Sequence, residues 1–124
     1  MVHLKVAALV AAMLASGLSM ERAYSLRVVR TVRVVATGYS MPGPRCWRCG
    51  SGHVAQDGSR PWVGTIATCP RLGLAFGTVV RIRGWLYRVR DRMAPGYADV
   101  DIYFESVDQA LAWGKQSVVM EVLE

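Results

Sequence analysis

Three aspartates in the last third of the chain are the residues best suited to acid and base chemistry. Asp91 ends the strand-like run WLYRVRD, and Asp99 and Asp101 open the run DVDIYF. Val100, Ile102, Tyr103 and Phe104 surround Asp101 in sequence, and a partly apolar strand raises a carboxyl pKa toward the range useful for proton transfer. Asp91 could hydrogen-bond that carboxyl, hold it in position or share a proton with it. Asp99 lies two residues before Asp101 and so shares its strand face, which makes it a rival for either role.

The cysteines form a second constellation. Cys46-Trp47-Arg48-Cys49 is a C-x-x-C pair, followed by His53 and, further on, by Cys69. A disulfide, within the pair or from one of its members to Cys69, is the default for an exported chain. Cys46, Cys49, His53 and Cys69 also have the donor types of a Cys3His zinc site, although only half of a double C-x-x-C signature is present. A redox role is the weakest of the three, because such a pair opens a helix and here Gly50-Ser51-Gly52 follows.

Positioning these groups requires a scaffold rich in strands. Residues 26 to 37 (LRVVRTVRVVAT) interleave Val with Arg and Thr, as a half-buried strand does. From 38 to 62 periodicity disappears among glycines and prolines, which predicts a long loop, and loops of that length in compact domains are usually functional. Strands are expected at 63 to 68, 78 to 83, 85 to 91, 99 to 104 and 117 to 123, with Gly84 turning a hairpin. Ser106 and Gln109 have capping-box spacing, Val107, Ala110 and Leu111 fall on one face, and Gly114 stands at the C-cap, which predicts one short helix. This order of elements argues for a small closed barrel.

The first 25 residues are different in kind. Lys5 precedes an apolar run from Val6 to Leu18, and Ala23-Tyr24-Ser25 offers small residues for a signal peptidase, so residues 1 to 25 are expected to be a secretory signal peptide. The run is shorter than a membrane-spanning helix needs. The chain carries 15 Lys and Arg against 9 Asp and Glu, a net charge of +6. Two basic residues and one acidic residue fall in the leader, which leaves 26 to 124 as a basic domain at +5. Basic strands attract anionic polymers, but nucleic-acid binding wants aromatics interleaved on the same face, and only Trp85 and Tyr87 come near.

Three ordered segments then carry a resemblance. They are Ala36-Thr37-Gly38-Tyr39, then Gly64-Thr65-Ile66-Ala67-Thr68-Cys69-Pro70 with Phe76-Gly77-Thr78, and finally Val89-Arg90-Asp91 through Asp101-Ile102-Tyr103-Phe104 to Ala110-Leu111-Ala112-Trp113-Gly114. Together they resemble the 3D domain, a double-psi β-barrel related to the barrel of membrane-bound lytic transglycosylase A and to rare lipoprotein A. The resemblance covers residues 34 to 123. Of the three aspartates that name the family, Asp91 and Asp101 match the second and third, and Cys69 occupies the place of the first. Only one glycine, Gly96, remains of the glycine-rich stretch between them.

The resemblance implies a mainly β fold, a six-stranded double-psi β-barrel with one short helix, over residues 26 to 124. It further implies an exported enzyme, secreted or periplasmic, that cleaves peptidoglycan glycan strands as lytic transglycosylases do. Asp101 would be the acid and then the base, with Asp91 beside it, and Thr37, Tyr39 and Thr68 would line the groove through their hydroxyls. No cofactor, nucleic acid or membrane span is expected after signal cleavage, and the domain is expected to be a monomer. The rival expectation is a non-catalytic barrel that binds the cell wall or belongs to a phage particle or lysis system.

Overall fold

The computed structural model describes residues 25–40 and 62–124. Six strands and one helix account for most of them: β1 (Val28–Tyr39), β2 (Thr65–Thr68), β3 (Val79–Ile82), β4 (Trp85–Arg92), β5 (Val100–Tyr103), α1 (Val107–Trp113) and β6 (Gln116–Leu123). The strands close into a barrel in the order β1-β5-β2-β4-β3-β6. Two neighbouring pairs, β1 with β5 and β2 with β4, run parallel. The remaining pairs are antiparallel. Among the described residues the chain therefore adopts the expected mainly β fold, a closed six-stranded barrel with one short α-helix beside it.

The alternation of β-branched and polar residues explains the core. Val34, Ala36, Ile66, Val80, Ile82, Val89, Val100, Ile102, Val118, Met120 and Val122 turn into one cluster, with Leu72 and Leu74 of the β2–β3 connection packed against it. Their neighbours in sequence take the other face, as the two-residue period of a strand requires. Closure is completed outside the ladder by Arg27 and Glu124, whose backbone groups exchange hydrogen bonds of 2.6 and 2.9 Å. No helix among the described residues is long and apolar enough to cross a membrane. The expected leader up to residue 24, Cys46, Cys49 and His53 all lie outside the described residues.

Local signals explain the turns. Ile82 pairs with Trp85, so Arg83 and Gly84 form a two-residue hairpin turn, with φ of 52° and 80° as this turn type demands. Ser106 Oγ accepts from Gln109 N at 3.2 Å, and Gln109 Oε1 accepts from Ser106 N at 3.3 Å, which is the expected capping box.

One expectation is corrected. Gly38 and Tyr39 were expected to begin the loop, yet both belong to β1 and pair with Ile102 and Tyr103. The reason is a close approach: a Cβ on Gly38 would stand 2.8 Å from the Phe104 ring and 3.1 Å from the Ala110 carbonyl. The helix that Val107, Ala110 and Leu111 predict does form, but their shared face is not its anchor, since Leu111 is 73% exposed. The helix is anchored instead by Trp113, which packs on the core with Phe104 and donates its indole N–H to Ala36 O at 3.3 Å. Gly38→Ala is accordingly expected to lower stability by about 1–3 kcal/mol, because the ring and the helix must both retreat. A urea titration with an unchanged midpoint would contradict this account of Gly38.

The basic strand residues are largely tied into the structure. Arg81 pairs with Glu121 through two hydrogen bonds of 2.9 and 3.0 Å. Arg30 donates to Leu72 O at 2.8 Å, and the Arg90 guanidinium lies over the Trp62 ring at 3.5 Å.

Candidate active site

Asp101 sits in the middle of a row that crosses four strands. In register, Thr37 of β1 faces Asp101 of β5, Asp101 faces Ala67 of β2, and Ala67 faces Asp91 of β4. Val100, Ile102 and Ile66 belong to the core cluster, so their sequence neighbours Asp101 and Ala67 take the opposite face. The two carboxylates are thus one strand on either side of a residue whose side chain is a single methyl. A larger side chain at position 67 would stand between them.

A bulge brings Asp91 into this row. Ile66 pairs with Val89, but Ala67 pairs with Asp91, so Arg90 is the extra residue on β4. Without that irregularity Arg90 would oppose Ala67, and Asp91 would fall on the other face. Bulges re-aim side chains in this way beside functional sites.

Hydrogen bonds give the two carboxylates different roles. Thr37 Oγ1 donates to Asp101 Oδ1 at 3.1 Å, which leaves Oδ2 as the oxygen to carry a proton. Burial pushes the Asp101 carboxyl up to about 6, assisted by the Asp91 charge and opposed by the Thr37 hydrogen bond. Both oxygens of Asp91 accept, Oδ1 from Arg92 N at 2.8 Å and Oδ2 from the Tyr39 hydroxyl at 3.3 Å. Burial, together with the charges of Asp91 and Asp101, pushes the Tyr39 phenol upward, so it keeps its proton and remains a donor. Tyr39 is braced by an edge-on contact with the Tyr103 ring, centroid to centroid 5.6 Å.

Of the residues expected from sequence, Asp101, Asp91, Thr37 and Tyr39 are brought together. Thr68 is not among them: it is fully buried, and its Oγ1 accepts from Arg92 Nη1 at 2.9 Å. The same guanidinium donates to Leu74 O at 2.6 Å and lies over the Phe76 ring, so Thr68 and Arg92 tie the β2–β3 connection to β4.

Asp99 is a clamp and no longer a rival for acid or base. Its backbone N–H donates to Val35 O at 2.9 Å, and its Oδ2 accepts from Val35 N at 2.8 Å. Oδ1 receives the Arg71 guanidinium. Burial raises the Asp99 carboxyl, but the Val35 and Arg71 donors outweigh it and hold the group below its ordinary value.

Cys69 is a buried free thiol, so the expected pairing of Cys69 with Cys46 or Cys49 is not made. Backbone hydrogen bonds hold its strand end: its N–H donates to Asp99 O at 2.9 Å, and its carbonyl accepts from Leu72 N at 3.1 Å. Among the described residues no group of His, Cys, Asp and Glu could hold a metal ion. A Cys46–Cys49 pairing and three of the four zinc donors lie outside the described residues.

Sequence reasoning did not reveal Ala67 as the spacer, the bulge at Arg90, or Tyr103 as the brace. Only the small residue in the otherwise bulky run Thr65-Ile66-Ala67-Thr68 gave a trace of the first. No protein-family model matches the sequence, and no curated protein matches it either.

Proposed function

We propose that this chain is an exported peptidoglycan-cleaving enzyme of the lytic transglycosylase type, built on a double-psi barrel of the 3D-domain kind. The observation that carries the proposal is the asymmetric pair. One half-buried carboxyl titrates near 6 with one oxygen held by Thr37, and a second carboxylate accepts two hydrogen bonds across Ala67.

That asymmetry suits cleavage of a glycosidic bond through an oxocarbenium-like transition state. Asp101, protonated on Oδ2, gives its proton to the glycosidic oxygen as the bond to the anomeric carbon breaks, and the leaving strand departs as an alcohol. Asp91, held by Tyr39 and the Arg92 amide, places negative charge near the carbon that becomes positive. Asp101, now a carboxylate, takes the proton from the muramyl 6-hydroxyl as that oxygen attacks the same carbon. The acid is regenerated, and the product is a 1,6-anhydro sugar.

Mass spectrometry of material released from isolated sacculi tests the proposal. The 1,6-anhydromuropeptides are the expected product, and reducing-end muropeptides would point to hydrolysis by the same carboxylates. Saturable sacculus binding with no released product would instead support a wall-binding barrel. The place of Cys69 favours that second reading, since a family aspartate is replaced there by a thiol that is only 2% exposed.

A further inference from the structure

A cavity of about 410 Å³ opens between α1 and the β3–β4 hairpin. Its walls are aromatic, formed by Trp85, Tyr87, Tyr103 and Trp113, and its rim carries Glu105 and Gln109. The size falls within the range of small-ligand sites, which are mostly apolar with a few placed polar groups.

Three features say what kind of molecule fits. Trp85 is 48% exposed, so a large aromatic face is presented to solvent at the edge of the cavity. The Trp113 indole N–H is bonded to Ala36 O and the Arg83 guanidinium lies over its ring at 5.3 Å, so Trp113 forms a fixed wall with a cationic donor beside it. Gln109 Oε1 is held by the capping box, which leaves the Nε2 amide as a donor beside the Glu105 carboxylate, an acceptor. A purely apolar ligand would desolvate Glu105 without compensation, and Arg83 over Trp113 offsets the Glu105 charge, so the lining favours a ligand with no net charge. A pyranose ring satisfies both, because its C–H face stacks on aromatic rings while its equatorial hydroxyl and acetamido groups reach the rim.

One aromatic contact links the cavity to the carboxylate row. Tyr103 lines it and packs edge-on against Tyr39, whose hydroxyl donates to Asp91. We propose that this cavity is a saccharide subsite that holds a neutral N-acetylhexosamine ring of the glycan strand, next to the residue at which cleavage occurs. The inference rests on the glycan-cleaving reading of Asp101 and Asp91, and it extends that reading to how the strand is gripped.

The test is calorimetric titration of the β-1,4-linked N-acetylglucosamine tetramer into the wild type, Trp85→Ala and Leu111→Ala. Trp85→Ala should weaken binding at least about tenfold, as loss of an aromatic anchor does. Leu111→Ala, which removes an exposed apolar side chain outside the cavity, should bind as the wild type does. Trp85 is half-exposed, and far-ultraviolet circular dichroism verifies that its variant is folded. Equal affinity in Trp85→Ala and wild type, or no binding by the wild type, overturns the subsite. Muropeptide release separates this from the parent reading. Release by the wild type with tetramer affinity unaffected in Trp85→Ala removes the subsite and leaves the enzyme. Binding that depends on Trp85 without any release keeps the subsite and removes the enzyme.

Discussion

Asp101→Asn is expected to release muropeptides from sacculi about 10²–10⁴ times more slowly than the wild type, the usual contribution of a positioned general acid and base. Asparagine keeps an acceptor for the Thr37 hydroxyl, so the loss would report the missing proton and not a displaced strand. The wild type carries a pH signature as well. The acid must be protonated, and burial places its titration near 6, so activity should fall as pH rises through about 6. The Asp91 charge contributes to that elevation, so Asp91→Asn should move the falling limb toward lower pH. A limb that stays in place in Asp91→Asn, or an Asp101→Asn variant as active as the wild type, would remove Asp101 from the acid role.

The same substitution should make the protein more stable at neutral pH. The Asp101 carboxyl is raised from its ordinary 3.8 to about 6 in the folded chain, chiefly by burial. Between those values the folded state holds a proton that the unfolded state has released, so the wild type loses stability as pH climbs from about 4 to about 6. Above that it carries the full cost of a buried charge, of order 3 kcal/mol for a displacement of about two pH units. Asparagine never ionises and never meets that cost. Urea unfolding should therefore show Asp101→Asn up to about 3 kcal/mol more stable than the wild type at pH 7.5, with the difference vanishing near pH 4. No difference at pH 7.5 would mean that Asp101 is solvated rather than buried. A site that gains stability when its acid is removed is one whose groups are held against their own preference, as active sites commonly are.

Much of the scaffold was legible because its signals are local. The β-branched alternation of residues 28 to 37, the Arg83-Gly84 turn and the Ser106–Gln109 capping box each act within a few residues, and each forms where expected. The signals that failed are those decided by a partner far along the chain. Gly38 reads as a loop residue until the Phe104 ring lies where its side chain would be. Leu111 shares an apolar helix face with Val107 and Ala110 in sequence, yet it stays exposed and the helix rests on Trp113. Thr68 carries a hydroxyl suited to a groove, but Arg92 claims it.

The candidate site divides in the same way. The apolar run around Asp101 and the family resemblance marked Asp101 and Asp91, but neither could show that a bulge at Arg90 swings Asp91 into line with Ala67. Nor could spacing separate Asp99 from Asp101, since both share a strand face in sequence. The Val35 backbone, 64 residues away, and the Arg71 guanidinium distinguish them by occupying Asp99.

The mutual hydrogen bonds of Arg27 and Glu124, and the pairing of β1 with β6 beside them, have a kinetic meaning. The first strand of the barrel finds one of its two neighbours only in the last, so the ring cannot close until residues near 123 are available. Such distant pairing makes folding slow relative to helical domains of similar size. A ribosome that has not yet released those residues holds an open chain. The adjacency of the two ends also permits them to be joined by a short linker and the barrel reopened at the Arg83-Gly84 turn, which would show whether the order of strand synthesis matters at all.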